Sequence, residues 1–147
     1  MFYHGHQFHP ADKELELFFI GCSLKCPGCH NPELQDRNNI KEQSKFAIYE
    51  QILPYLSITK RVSLMGGEPQ EQPLDDLLDL CKFIKMSHPQ IEIILFTGYD
   101  ELKDPNLVKY IDFIKFGSFD IDNVVENNIQ NGIKLASSNQ FIQSANK

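Results

Sequence analysis

Hydrophobic and polar positions change period several times along the chain, and each change marks an element. Glu14 to Ile20 starts in alternation and ends in an unbroken apolar run, the pattern of a buried strand. Arg61 to Met65 and Asp112 to Phe116 read the same way, Ile91 to Thr97 is the clearest case, and Ile133 to Ala136 is a weaker one before a polar tail. Ser44 is placed to cap a helix carrying Phe46, Tyr49, Ile52, Leu53 and Leu56 on one side, with Pro54 expected to break or kink it. Leu74, Leu77, Leu78, Cys81 and Ile84 recur at the spacing of one helix face, leaving Asp75, Asp76, Asp79 and Lys82 for water. A further helical stretch from about Asp100 to Tyr110 is interrupted by Pro105.

Strands that alternate with helices, each strand stopped by a glycine, predict βα units and a mainly parallel sheet. The fold class is therefore α/β. In such folds ligands gather beyond the carboxyl ends of the strands, where backbone must come close to a bound molecule. Gly21, Gly66, Gly98 and Gly117 all fall at that edge. The 147 residues read as a single domain, with residues 1–12 a mobile or irregular lead-in.

Composition narrows the function. Fourteen basic against twenty acidic residues leave a net charge of −6, with Lys and Arg scattered, so a nucleic-acid partner held by phosphate contacts is not expected. No apolar run reaches the ~18 residues that cross a bilayer, and the polar, histidine-rich start is unlike an export signal. The expectation is a cytoplasmic protein with no membrane partner, in which four cysteines stay reduced as metal ligands or catalytic groups.

Three of those cysteines, Cys22, Cys26 and Cys29, form C-x3-C-x2-C on a segment with two Gly and two Pro, a loop organised by its ligands. Close spacing lets three thiolates converge on one soft metal centre. A four-iron cube held by three cysteines keeps one iron open to an outside ligand, whereas four close it. Two plainer readings stay open. One is a Cys3His zinc site completed by His30 or by one of His4, His6 and His9. The other makes Cys81 the fourth ligand of an electron carrier, although its place on an apolar helix face favours a core thiol.

The cysteine triad after the first strand, with Gly66-Gly67-Glu68-Pro69 after the second, resembles the radical S-adenosylmethionine superfamily. Cys29-His30-Asn31-Pro32, Thr97-Gly98-Tyr99 and Ser137-Ser138-Asn139-Gln140 make the chain similar to the activating components of anaerobic ribonucleoside-triphosphate reductases. The resemblance implies an incomplete parallel β/α barrel and a 4Fe–4S cluster on Cys22, Cys26 and Cys29. It also implies S-adenosylmethionine bound near Gly28, His30, Gly66, Gly67 and Glu68, with Glu68 adding negative charge beside the ligand's ammonium. The implied partners are the reductase large subunit, whose glycine gives up a hydrogen atom, and flavodoxin or ferredoxin as electron donor. Activation of another glycyl-radical enzyme, or a small-molecule radical reaction, is the second enzyme reading; a zinc-stabilised interaction module is the non-enzyme one. The chain departs from the family pattern in three places. Pro10-Ala11-Asp12-Lys13 stands where a Gly-Pro-Gly-x-Arg-like segment is usual. Phe116-Gly117-Ser118-Phe119 stands for Asp-Gly-Pro-Phe, and Phe141 replaces an Arg. These departures bear on substrate docking rather than on the cluster.

Overall fold

The computed structural model describes residues 1–24, 34, 42–130 and 132–145. Its strands are β1 (Tyr3–His9), β2 (Glu14–Phe19), β3 (Arg61–Gly66), β4 (Glu92–Phe96), β5 (Phe113–Phe116), β6 (Val124–Gln130), β7 (Ile133–Ser137) and β8 (Phe141–Ser144). Six of them form one sheet in the order β1-β2-β3-β4-β5-β8, and β6 and β7 make a separate two-stranded hairpin. Strands β2 to β5 run parallel. Both edge strands, β1 and β8, run antiparallel to their neighbours. Among the described residues two α-helices, α1 (Lys45–Leu56) and α2 (Leu74–Ser87), lie in the β2–β3 and β3–β4 crossovers that parallel neighbours require, while the β4–β5 connection holds only a 3-10 turn.

Side-chain alternation gives the sheet two unlike faces. Leu15, Leu17 and Phe19, Val62 and Leu64, and Ile93 and Leu95 meet Ile48, Ile52 and Leu56 of α1 and Leu77, Leu80, Cys81 and Ile84 of α2, all fully buried. The register aligns Glu14, Arg61 and Glu92 across the other face at the strand starts, with Met65 and Phe96 nearer the strand ends. Arg61 pairs with Glu92 at 3.3 Å, and Ser63 Oγ donates to Glu14 at 2.8 Å.

Ser44 caps α1 as its position predicts, its hydroxyl accepting from Ala47 N–H at 3.0 Å. The helix continues through Pro54 rather than breaking. Pro54 lies in the last turn on the exposed side, and the carbonyl left without its usual donor belongs to the exposed Glu50, where water can replace it.

Four expectations need correction. The lead-in over residues 1–12 is instead largely β1, which pairs along β2 from Tyr3 to His9 with a bulge near Gly5. The helical stretch over Asp100–Tyr110 contracts to one 3-10 turn, Pro105–Lys109, capped by Asp104. The strand at Ile133 lies in the hairpin and not in the sheet, while the polar tail contributes β8. The α/β class holds, with a parallel centre and antiparallel edges.

Candidate functional site

The carboxyl ends of β2 and β3 are brought together by backbone. The register sets Gly66 beside Phe19, and Gly66 has φ +107°, a conformation that favours glycine. A Cβ on Gly66 would lie 2.5 Å from the Phe19 carbonyl oxygen, and one on Gly67 2.6 Å from Gly21 O and 2.7 Å from Leu34 O. Gly67 N–H donates to Phe19 O and Glu68 N–H to Gly21 O, both at 2.8 Å, while Gly21 N–H donates to Leu34 O at 2.7 Å. The Gly-Gly turn is therefore stitched to the root of the cysteine segment. Two glycines stand here because nothing larger fits between the two backbones.

Glu68 is 1% exposed. Its Oε2 accepts from Gln70 N–H at 3.0 Å and Thr97 Oγ1 at 2.8 Å, and its Oε1 accepts from Gly98 N–H at 2.6 Å. Burial raises its pKa above the ordinary glutamate value, although these three donors and the nearby Lys115 ammonium act in the opposite direction. Among the described residues Oε1 accepts this single bond.

The residues just past Glu68 bind the edge together, and the sequence reading did not single them out. Gln70 donates to Thr97 Oγ1 at 2.8 Å and Glu101 O at 3.1 Å and accepts from Lys103 N–H at 2.7 Å. Gln72 donates to Ile20 O at 2.9 Å and accepts from Phe2 N–H at 2.8 Å. Glu71 takes the Ser23 amide and hydroxyl and the Tyr99 hydroxyl. On the far side, Gln140 accepts from Ala136 and Ser137 N–H and donates to Gly117 O at 3.3 Å. The available signal was a polar Gln-Glu-Gln run at the strand end where ligands gather. The Ser-Ser-Asn-Gln segment, quoted for its resemblance, serves structurally as this second clasp.

Between these clasps lies a cavity of ≈ 270 Å³, whose lining includes Cys22, Gly66, Gly67, Glu68, Thr97, Gly98, Lys115 and, from β7, Ile133 and Leu135. Cys22, Gly66, Gly67 and Glu68 are thus brought together. Lys115, also not singled out from sequence, donates to Gly117 O at 2.9 Å and Thr97 O at 3.4 Å. Cys26, Gly28, Cys29 and His30 lie outside the described residues. Cys81 is fully buried in the helix-side core, its thiol pushed up to about 12 by burial, and does not line this cavity. On β1, His6 packs edge-on to Tyr55 and bonds the Tyr3 hydroxyl, and His9 pairs with Glu16. No group of three His, Cys, Asp or Glu among the described residues is placed to hold a metal ion. No helix among them is long and apolar enough to cross a membrane.

The donor chemistry suits a soft metal centre. The half-buried Cys22 thiol is carried on a segment whose root is fixed by Gly21, and the adjoining glycine turn leaves space that any side chain would fill. A model of the 4Fe-4S single cluster domain matches residues 13–143. The anaerobic ribonucleoside-triphosphate reductase-activating protein of Enterobacteria phage T4 is 29% identical over 109 residues, spanning 71% of this chain and 69% of that protein. The pyruvate formate-lyase-activating enzyme of Clostridium pasteurianum is 36% identical over 72 residues, 45% of this chain but only 30% of the longer relative. The likeness to glycyl-radical activases read from the Cys-His-Asn-Pro, Thr-Gly-Tyr and Ser-Ser-Asn-Gln segments is borne out by these matches. The match covers the sheet from the foot of β2 into β8 and includes the whole cysteine segment, so the chain belongs to the 4Fe-4S single cluster domain family.

Proposed function

We propose that this protein is a radical S-adenosylmethionine enzyme that installs a glycyl radical in the large subunit of an anaerobic ribonucleoside-triphosphate reductase. The single observation carrying the reading is the convergence of Cys22, the Gly66-Gly67 turn and buried Glu68 on one cavity at the carboxyl edge of a parallel sheet. Cys22, Cys26 and Cys29 would hold a 4Fe–4S cluster with one open iron. When bound, that cluster would give one electron to the sulfonium of S-adenosylmethionine, breaking its S–C5′ bond to methionine and a 5′-deoxyadenosyl radical that takes a hydrogen atom from the glycine.

The chain's own residues bind, orient and exclude water. The Gly66-Gly67 turn admits the ligand's amino group against bare backbone, and Glu68 offers its Oε1 to that ammonium from a site closed to solvent. Ile133 and Leu135 give the cavity an apolar wall away from stray hydrogen donors. Gly28 and His30 are assigned to the adenine. The four parallel strands with antiparallel edges are read as the incomplete barrel of this superfamily, open on one side for a polypeptide substrate. A low-potential flavodoxin or ferredoxin in the cytoplasm would supply the electron. The match to a pyruvate formate-lyase-activating enzyme favours, as a second reading, the same chemistry on another glycyl-radical enzyme.

Anaerobic reconstitution tests this. The expected product is a brown, oxygen-labile protein that forms 5′-deoxyadenosine and leaves a glycine-centred radical on the reductase subunit. Replacing Cys22, Cys26 or Cys29 by Ala should abolish iron loading, while Cys81→Ala should not. A colourless, zinc-loaded chain would sink the proposal. Production of 5′-deoxyadenosine without a radical on the reductase would move it to the second reading.

A further inference from the structure

The carboxyl edge contains one charged junction that the proposed chemistry does not use. Glu71, in the 3-10 turn Pro69–Glu71, places both carboxylate oxygens 3.1 Å from the Ser23 amide nitrogen. Its Oε2 also accepts from Ser23 Oγ at 2.7 Å and from the Tyr99 hydroxyl at 3.0 Å. The Lys103 ammonium lies 4.4 Å from the centroid of the Tyr99 ring. Burial pushes the Glu71 acid up, but the Ser23 and Tyr99 donors outweigh it and hold the acid below the ordinary value, so the carboxylate is charged at neutral pH.

Ser23 follows Cys22 directly. On the other side of Cys22, Gly21 is fixed by Glu68 N–H and by its own bond to Leu34 O. The backbone on both sides of Cys22 is therefore held by the segment after β3: Glu68 before it, Glu71 after it. Tyr99, the third partner of Glu71, sits just past Thr97 and Gly98, which bond Glu68. One short turn thus links the root of the cysteine segment to the loop after β4. A carboxylate suits the task because both its oxygens accept, neither carries a proton, and its charge strengthens each bond.

We propose that Glu71 is a positioning residue: shared between Ser23 and Tyr99, its carboxylate aims the Cys22 thiol into the cavity where the ligand of the cluster is bound. The proposal rests on Cys22 being a cluster ligand. Glu71 touches neither cluster nor substrate; it acts through Ser23.

The test compares the full chain with Glu71→Ala, Glu71→Gln and Tyr99→Phe in two ways. In the apoprotein, site-resolved alkylation by N-ethylmaleimide should be roughly tenfold faster at Cys22 in Glu71→Ala, the scale of losing hydrogen bonds to a charged group. Cys81, buried in the core, should stay unreactive and so report an intact fold. Glu71→Gln and Tyr99→Phe, which each keep part of the junction, should fall between. In the reconstituted, reduced protein, the change in the cluster's electron paramagnetic resonance signal on adding S-adenosylmethionine should be lost or need roughly tenfold more ligand in Glu71→Ala. Parental behaviour of Glu71→Ala in either measurement overturns the proposal. A parent chain that loads no iron overturns the cluster reading instead, while the alkylation rates still decide whether Glu71 aims Cys22.

Discussion

The helix-covered face of the sheet and the polar clasps of the carboxyl edge are both buried, by opposite means. On the face, side chains such as Leu17, Leu64 and Leu95 pack against α1 and α2 with nothing to hydrogen-bond. At the edge, Glu68, Gln70, Gln72, Thr97, Ser137 and Gln140 are buried polar groups. Among the described residues every buried side-chain nitrogen or oxygen has a partner. Apolar packing is non-directional, so the face sets how stable the fold is without fixing any one atom. Hydrogen bonds are directional and costly to leave unmade, so the edge sets where Cys22 and the glycine turn lie. Stability and geometry are thus separated in space, and substitutions in the two regions should fail differently.

The largest effect is expected from the face. Leu17→Ala removes a fully buried side chain between β2 and the helices and should cost about 2–5 kcal/mol in urea unfolding. The folded fraction should still take up parental iron after reconstitution. Iron loss out of proportion to unfolding would break the separation.

Gly67→Ala attacks the edge with a single methyl. Its Cβ has backbone on every near side, Gly21 and Leu34, and no flexible side chain to yield. The expected destabilisation is about 1–3 kcal/mol, smaller than for Leu17→Ala, yet iron loading should fall much further. Parental loading would mean the turn does not border the cluster site.

Glu68→Gln sharpens the contrast through pH. The Glu68 acid is raised by burial, so the folded chain holds its proton more tightly than the unfolded one. With more protons bound when folded, stability falls as pH climbs from the ordinary value near 4.5 through the raised folded value. Glu68→Gln lacks that loss. Its stability relative to the parent should improve as pH rises above about 4.5, while its response to S-adenosylmethionine weakens. A gap that is flat, or that moves in the parent's favour, would show that the carboxylate is at no disadvantage in its buried site.

Sequence legibility follows the same division. Strands β2, β3, β4 and β5 were readable because burial on the helix side imposes an apolar pattern on the residues themselves. β1 was not: Tyr3–His9 joins the sheet by backbone bonds at an edge, and His4 and Gln7 carry no pattern that separates an edge strand from a loop. β8, four residues with three exposed, was hidden for the same reason. Pro105 marks an interruption in a helical pattern, but no period in the sequence separates that from the short 3-10 turn Asp104 caps. At the site, Gly66 and Gly67 were legible because backbone crowding leaves glycine alone there, and Glu68 because it stands between them and a proline. Gln70, Glu71, Gln72 and Gln140 were not, since a polar residue that clasps a distant loop leaves no periodic trace.

The smallest effect belongs to the region read as irregular. His9 Nε2 bonds Glu16 Oε1, tying the end of β1 to the start of β2 at the opposite end of the sheet from Cys22. The hydrogen bond to Glu16 is the largest cause raising His9 above the ordinary histidine value. A histidine whose folded value is raised contributes its stability fully below about 6.5 and loses it as pH rises through the folded value. The side chain is 39% exposed, so solvent and salt screen the pair. Glu16→Gln should therefore lower the thermal midpoint by only about 1 °C at pH 5.5 in low salt, and by nothing measurable at pH 8.5. Iron loading should be unchanged at both pH values, because no clasp of the carboxyl edge passes through this pair. Loss of iron in Glu16→Gln would couple the two ends of the sheet and undo the separation of stability from geometry.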